Sequence, residues 1–209
     1  MKFIIRLFSA LIITFSYIEL AYSKTTKIII FGDSLIAGYG LVVEDNFVNQ
    51  LKLKTIENKI SDVTLFNSGV SGETSTGLLN RYKWVLEDNY DGVIILIGAN
   101  DALRGIDPSL TSQNIEKILS YLKEKQIPTM LIGMKAPNNL GEIYVNEFNA
   151  IYPKLSKKYN AAYYPFFLKD VALKPSLNQR DMIHPNKNGV KIIVNNFFQY
   201  FLEFYESLK

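Results

Sequence analysis

The sequence predicts an α/β fold in which a mostly parallel sheet is covered by helices on both faces. Short apolar segments alternate with longer segments of helical periodicity along residues 24–209. Two of the short segments, KIIIF at 27–31 and GVIILI at 92–97, are continuous hydrophobic runs, as expected for strands buried on both faces of a parallel sheet. Alternation of buried strands with helices places the helices on both sides of one sheet.

The apolar segments predict five strands in chain order. They are expected at 27–31, 63–67, 92–97, 128–133 and 162–167.

Helices are expected between and after these strands. In 111–125 the apolar side chains recur at i, i+3, i+4 and i+7, which is the spacing of one helix face. Residues 188–207 carry a broad apolar and aromatic stripe, which is typical of a helix packed against a core. Residues 141–158 predict a helix with a kink or break near Pro153, since proline lacks the N–H of a helical hydrogen bond.

Composition excludes several classes of function. The 209 residues suffice for one domain, and 48% hydrophobic with 21% charged residues is typical of a globular protein. The net charge of +3 is small and the basic residues are scattered, so no nucleic-acid partner is expected. With no cysteine and one histidine, neither thiolate chemistry nor a zinc site is indicated.

The first 23 residues form a separate segment. Lys2 and Arg6 accompany an apolar run, and Ala21-Tyr22-Ser23 offers small residues at the two positions that a signal peptidase reads. The run is short for a membrane span and contains Glu19. We therefore expect a cleaved signal peptide over 1–23, a mature domain over 24–209 with no stable membrane span, and a periplasmic or secreted protein.

Three polar, glycine-containing loops follow the first three predicted strands. Ser34 follows the first strand, residues 67–72 (NSGVSG) follow the second, and residues 98–101 (GAND) follow the third. The carboxyl ends of parallel strands meet at one edge of the sheet, where ligands of such folds bind. Each loop alone is an ordinary turn signal, but their shared position predicts a functional site at this edge.

The single histidine, His184, lies three residues after Asp181 in RDMIHPN (180–186). A serine hydroxyl is a weak nucleophile until an adjacent base accepts its proton, and histidine is suited to that task. Asp181 could orient the imidazole and stabilise its cation. Spacing alone does not establish that this segment returns to the edge that carries Ser34.

An acyl-transfer site also needs donors that stabilise an oxyanion. Three are available: the backbone N–H groups of Ser34 and Gly72, and the side-chain amide of Asn100. The alternatives are local, since Asn100 could cap a helix and Gly72 could simply form a turn.

Ordered blocks along residues 24–209 resemble the SGNH (GDSL) hydrolase superfamily. The blocks are FGDSLIAGYG, NSGVSGETS, GANDALRG, IYPKL with the later PFF, and DMIHPN. The chain is most similar to the bacterial branch of multifunctional acyl-CoA thioesterases, lysophospholipases and arylesterases. The resemblance implies a three-layer α/β/α sandwich, flavodoxin-like, with a mostly parallel five-stranded sheet.

The resemblance also implies roles for individual residues. Ser34 matches the family's nucleophile, and the D-x-x-H block maps onto Asp181 and His184 as the other two members of the triad. The oxyanion-hole positions map onto Ser34, Gly72 and Asn100.

Two positions depart from the family pattern, and one residue of the first block needs a local account. Ile36 stands where a small polar residue is common, and Met182 stands where glycine is common, which puts fine substrate preference in doubt. Asp33 is interpreted as ordering the turn before Ser34 and not as the triad acid.

These observations favour a serine esterase acting on small-molecule or lipid acyl esters or thioesters through an acyl-enzyme, with no metal or cofactor. One alternative is a carbohydrate O-acetyl esterase with the same machinery, and another is a non-catalytic periplasmic protein that binds a lipid or an anion. Residues 102–107 and 135–144 are expected to form the substrate walls, with Leu140 and Ile143 indicating an apolar acyl chain.

Overall fold

The computed structural model describes residues 25–209. The predicted signal peptide, residues 1–23, lies outside these residues.

Five strands form one sheet in which every neighbouring pair is parallel. The strands are β1 (Thr26–Gly32), β2 (Val63–Gly69), β3 (Gly92–Leu96), β4 (Thr129–Ile132) and β5 (Ala162–Tyr164). Their order across the sheet is β2-β1-β3-β4-β5, which is the flavodoxin-like order. The predicted fold class is confirmed, and the sheet is fully parallel within the described residues.

The central strands are buried because helices cover both faces of the sheet. The side chains of Ile28 to Phe31 in β1 and of Val93 to Leu96 in β3 are at most 1% exposed. These are the two segments whose unbroken apolar runs predicted burial on both faces. In β2, an edge strand, only Leu65 is fully buried. The rigid centre of the sheet is therefore β1 beside β3.

Seven α-helices occur among residues 25–209. They are α1 (Ser34–Ala37), α2 (Phe47–Glu57), α3 (Ser75–Val85), α4 (Ala99–Leu103), α5 (Pro108–Glu124), α6 (Glu142–Tyr159) and α7 (Lys187–Glu206). Helix α2 packs against α7, while α3 and α6 both pack against α5. These two groups are the outer layers of the sandwich. None of the helices in the described part of the chain is long and apolar enough to span a bilayer.

Two strand boundaries differ from the sequence prediction by more than one residue. Strand β2 continues through Gly69, because β1 runs to Gly32 and the two glycines pair in register. Residues 67–69 therefore belong to a strand and not to the loop that was expected there. Strand β5 ends at Tyr164 instead of 167, since the next residue, Pro165, has no N–H to donate to the ladder.

The predicted helix over 141–158 is confirmed, and of the two expectations at Pro153, a kink or a break, the break is wrong. Helix α6 runs without interruption from Glu142 to Tyr159 and contains Pro153 within it. Proline removes one helical hydrogen bond, but Phe148, Tyr152 and Leu155 on this helix are almost completely buried. Packing of that apolar face maintains the helix across the missing bond.

Candidate active site

The turn after β1 presents Ser34 at the carboxyl edge of the sheet. Ser34 is the first residue of α1, and Asp33 is the residue that caps this short helix. The Leu35 N–H donates to Asp33 Oδ1 over 3.0 Å, so Asp33 orders the turn as the sequence predicted. Because β1 and β3 are neighbours whose connections leave in opposite directions, Ser34 lies at the topological switch point of the sheet.

Three predicted catalytic residues come together in the structure. Ser34 Oγ lies 2.8 Å from His184 Nε2, although 150 residues separate them in sequence. On the other side of the ring, His184 Nδ1 lies 2.7 Å from Asp181 Oδ2. The segment before α7 therefore does return to the edge that carries Ser34. This hydroxyl–imidazole–carboxylate chain has the geometry that activates a serine.

Asp181 is held in its ionised form. Its partial burial opposes ionisation, but the backbone and ring N–H groups of His184, together with the Ile183 N–H, outweigh that effect and lower the pKa of Asp181 to about 2. Both backbone donors bond to Oδ1, over 3.0 and 2.9 Å, which leaves Oδ2 for the ring. The two oxygens thus have separate tasks: one shapes the loop and the other orients His184.

Gln179 fastens this loop to the rest of the molecule. Its backbone N–H donates to the His184 carbonyl over 2.7 Å. Its side-chain amide donates to the Tyr39 carbonyl over 2.7 Å and to the Pro185 carbonyl over 3.1 Å. The Tyr39 ring in turn lies 4.7 Å from the His184 ring, centroid to centroid. Sequence reasoning missed Gln179 and Tyr39, because no spacing pattern links residues that are 140 positions apart.

Asn100 lies in the second position of α4, directly after β3. Gly98 precedes that helix with φ +116°, and a Cβ there would stand 2.4 Å from the Tyr152 hydroxyl, so only glycine fits. Gly98, not Asn100, is the N-cap of α4, which removes the capping role as an explanation for Asn100. The Asn100 amide donates to the Glu73 carbonyl over 3.0 Å.

Gly72 occupies a turn after β2 with φ +79°, as expected for a glycine at this kind of position. The Glu73 N–H donates to the Val70 carbonyl across the turn, and Arg104 donates to the Gly72 carbonyl over 2.8 Å. Through Glu73 this turn adjoins the Asn100 amide. The structure thus links the two predicted oxyanion segments, while the turn interpretation of Gly72 is also correct.

Two buried networks fix those segments. Asp101 accepts hydrogen bonds from the backbone and the hydroxyl of Ser75, and from the Thr111 hydroxyl. Glu73 forms a two-pronged ion pair with Arg81, with both contacts at 2.6 Å. Sequence reasoning did not find these residues. Asp101 and Glu73 stand within the quoted blocks, but no spacing pattern in those blocks indicates their partners.

Asp33 has an environment opposite to that of Asp181. It is completely buried, and within residues 25–209 its Oδ2 has no hydrogen-bond partner. Burial raises its pKa from an ordinary value of 3.8 to about 6, although the Leu35 N–H and the neighbouring His184 act in the other direction. The mutual repulsion with Glu73 and Asp101 adds to the rise.

A cavity of about 720 Å³ opens beside Ser34 and His184. Thirteen of the twenty residues in its wall are apolar, and Asn100 and Lys135 are among the seven polar ones. The residues that line it are Ser34, Leu35, Ala99, Asn100, Ala102, Leu103, Met134, Lys135, Ala136, Pro137, Asn138, Asn139, Phe166, Leu168, Ala172, Leu173, Asn178, Met182, Ile183 and His184.

The predicted substrate walls are correct in part. Residues 102–103 and 135–139 line the cavity, as expected. Leu140 and Ile143 do not: Leu140 packs against the core, and Ile143 is 77% exposed on the first turn of α6. The chain turns away from the cavity at the short 3-10 turn Asn138–Leu140, so the apolar surface comes from other segments.

The comparisons with known proteins find relatives that cover most of the chain. Residues 30–192 match the model of the GDSL-like lipase/acylhydrolase family. An arylesterase of Vibrio mimicus is 34% identical over 87% of this chain and 90% of its own length. The thioesterase 1/protease 1/lysophospholipase L1 of Escherichia coli K12 is 36% identical over 80% of this chain and 79% of its own.

Among solved structures, AlinE4, described as an esterase of the SGNH-hydrolase family, superposes with a TM-score of 0.73. It is 39% identical, and the match covers 86% of this chain and 96% of AlinE4. The fold and the site define a hydrolase that acts on ester bonds. The chain belongs to the GDSL-like lipase/acylhydrolase family.

Proposed function

We propose that this enzyme hydrolyses acyl esters or thioesters with Ser34 as nucleophile, His184 as general base and acid, and Asp181 as the residue that orients His184. The observation that carries the proposal is the pair of short contacts on the two sides of the His184 ring, at 2.8 and 2.7 Å. Such a chain lets the imidazole accept a proton from the hydroxyl while the carboxylate stabilises the cation that forms.

The reaction proceeds in two displacement steps. In the first, Ser34 Oγ bonds to the substrate carbonyl carbon while its proton moves to His184 Nε2. His184 then donates that proton to the departing alcohol or thiol, which leaves an acyl ester on Ser34. In the second, water gives a proton to His184 and attacks the acyl carbon. Ser34 recovers its proton as the carboxylic acid leaves.

The negative charge on the carbonyl oxygen is stabilised by the N–H groups of Ser34 and Gly72 and by the Asn100 amide. An amide nitrogen carries two hydrogens, so the bond from Asn100 to the Glu73 carbonyl leaves one for the substrate. The fixed networks behind Gly72 and Asn100 support this role, because donors that are already oriented need no reorganisation during the reaction.

The substrate class that we favour is that of the arylesterase, thioesterase and lysophospholipase type. The cavity beside Ser34 is mainly apolar, which suits an acyl chain better than the hydroxyl-rich surface of a sugar. This favours acyl esters over the carbohydrate O-acetyl esters that share the same chemistry. A side-by-side panel of p-nitrophenyl esters, acyl-CoAs, lysophospholipids and an acetylated oligosaccharide distinguishes these classes.

Ser34→Ala, His184→Ala and the double variant test the mechanism itself. Each single change is expected to lower kcat/KM by several orders of magnitude. The double variant is expected to be scarcely less active than the less active of the two single variants. Members of one catalytic unit behave this way because the base has no task once the nucleophile is gone. Multiplying losses, or near-normal turnover in His184→Ala, would contradict the assignment of Ser34 and His184 to one catalytic unit.

We also propose that residues 1–23 direct export and are then removed, so that the enzyme acts in the periplasm or outside the cell. Lys2 and Arg6, the apolar run and the Ala21-Tyr22-Ser23 site support this. The mass of the exported protein should correspond to a chain that starts at Lys24. A product that retains residues 1–23 would refute the cleavage.

A further inference from the structure

Some residues of this chain hold a backbone conformation that normally requires glycine. Among residues 25–209, the positive-φ residues other than glycine are Lys59, Gln126, Asn160, Asp170, Leu173 and Met182. A side chain with a Cβ is disfavoured in this left-handed region, so each case calls for a physical reason.

Three of the six are explained by helix ends. Lys59 and Gln126 stand two residues beyond the last residues of α2 and α5, and Asn160 caps the end of α6. A left-handed residue at such a position commonly ends a helix, because its N–H bonds to one of the last free carbonyls. These three positions lie away from the cavity beside Ser34.

Two of the other three line the cavity beside Ser34. Asp170, Leu173 and Met182 follow no α-helix, and Leu173 and Met182 both line the cavity, with φ of +63° and +62°. Leu173 is 83% exposed and Met182 is 40% exposed, so neither side chain is kept in place by the core. An exposed apolar side chain on an unfavourable backbone gains nothing in stability from its own packing.

The backbone at Met182 has an evident reason for its conformation. The Met182 N–H donates to the Gln179 carbonyl over 3.0 Å, and the next two N–H groups donate to Asp181 Oδ1. This tight turn delivers His184 to Ser34. Glycine would form it most easily, so the turn explains the left-handed backbone and does not explain the methionine side chain.

We propose that Met182 and Leu173 are specificity-determining residues: their side chains form the outer apolar wall that contacts the aliphatic acyl chain of the substrate. The inference rests on the proposed Ser34 chemistry and names the part of the substrate that this cavity selects. Among residues 25–209, no Asp or Glu lines the cavity, and Lys135, the one lysine in its wall, lies 5.1 Å over the Phe166 ring. An uncharged chain of several methylenes is therefore the group that this wall fits.

The experiment compares kcat/KM for p-nitrophenyl octanoate with kcat/KM for p-nitrophenyl acetate in Met182→Ala, Met182→Gly and Leu173→Ala. The octanoate-to-acetate ratio is expected to fall about tenfold in each, since each loses apolar contact with the longer chain. Met182→Leu should keep most of the wild-type octanoate-to-acetate ratio, because leucine has a volume similar to that of methionine.

Thermal unfolding separates the side chain from the backbone. Met182→Gly relieves the left-handed strain that Met182→Ala retains, so its Tm should be about 2–4 °C higher than that of the alanine variant. Gln126→Gly is the matched control: it relieves a similar strain at φ +56°, far from the cavity. Its Tm should rise, while its octanoate-to-acetate ratio should equal that of the wild type.

An unchanged ratio in the Met182 and Leu173 variants would overturn the inference, as would an equal fall of the ratio in Gln126→Gly. Should Met182→Ala fail to fold, Leu173→Ala and Met182→Leu still decide the question. Failure of the proposed function would give a different result. Ser34→Ala would then keep its esterase activity, while the octanoate-to-acetate ratio of the wild type could still be measured.

Discussion

Asp33 and Asp181 both adjoin the Ser34–His184 pair, yet their surroundings are opposite. Asp181 stands in an exposed loop and receives two backbone N–H groups and the His184 ring, which lowers its pKa to about 2. Asp33 is buried just after β1, one of its oxygens has no hydrogen-bond partner in the described part of the chain, and burial raises its pKa to about 6. The difference shows that burial and the number of donors around a carboxylate, and not its distance from the site, decide the direction in which its pKa shifts.

The same contrast separates the two regions that carry these residues. The sheet edge holds Ser34 and Asn100 through buried contacts that the core enforces. The loop before α7 holds His184 through its own hydrogen bonds and through Gln179. Changes in the exposed loop are therefore expected to act on chemistry, and changes at the buried edge on both chemistry and stability.

The largest effect is expected from Asp181→Asn. Asparagine keeps an oxygen for the two backbone donors but cannot stabilise a positively charged ring, so kcat should fall by about 10³–10⁴ with little change in KM. Steady-state kinetics on the best ester of the panel measures this. Asp88→Asn, at an exposed position outside the site, is the control and should remain fully active. A loss below tenfold in Asp181→Asn would show that Asp181 does not orient the base.

A smaller loss is expected at the buried edge, from Asn100→Ala. If the amide stabilises the oxyanion, kcat should fall by about 10²–10³ while KM changes little. The variant should still fold, because Asp101 and Ser75 keep α4 attached to α3. Kinetics and thermal unfolding are measured together, and a change in KM alone, or a variant that does not fold, would assign Asn100 a structural role.

The smallest effect on activity is expected from Asp33→Asn, which should change kcat/KM by no more than about tenfold. Its main effect should be on the pH dependence of stability. Because the pKa of Asp33 is about 6 in the folded protein and 3.8 ordinarily, the folded state binds the extra proton between these values. Wild-type stability should therefore decrease, relative to the variant, as pH rises through this window, by ~3 kcal/mol in total. Asp181, with its lowered pKa, contributes in the opposite direction, between about pH 2 and 4.

Urea unfolding of both proteins from pH 4 to 7 measures this difference. Asparagine is neutral at every pH, so any fixed cost of the substitution shifts its curve without tilting it. Parallel curves for the wild type and Asp33→Asn would contradict the raised pKa and remove the contrast with Asp181.

Much of the sheet and of the candidate site could be predicted from the sequence. The unbroken apolar runs identify β1 and β3, and parallel strands necessarily bring the loops that follow them to one edge. This is why Ser34 and Asn100 were expected together. The contact between His184 and Ser34 was not available from spacing, since it depends on where a loop 150 residues away folds back.

The remaining misses have the same physical origin. Pro153 breaks a helix by local rules, but burial of one face of α6 overrides them. Leu140 and Ile143 have the right chemistry for an acyl wall, but the chain turns before it reaches the cavity. Gln179 acts through Tyr39, which is 140 positions away in sequence, and no local pattern reports such a contact.

The separation of 150 residues between Ser34 and His184 has a consequence for the newly made chain. At roughly 5–20 residues per second of synthesis, the serine exists for about 8–30 s before the histidine is added. During that time its hydroxyl has no base within reach and is as unreactive as any other serine. With Ser34 and His184 acting as proposed, hydrolytic activity would begin only when the C-terminal segment docks, so that an incomplete chain would not attack acyl esters on its way out of the ribosome.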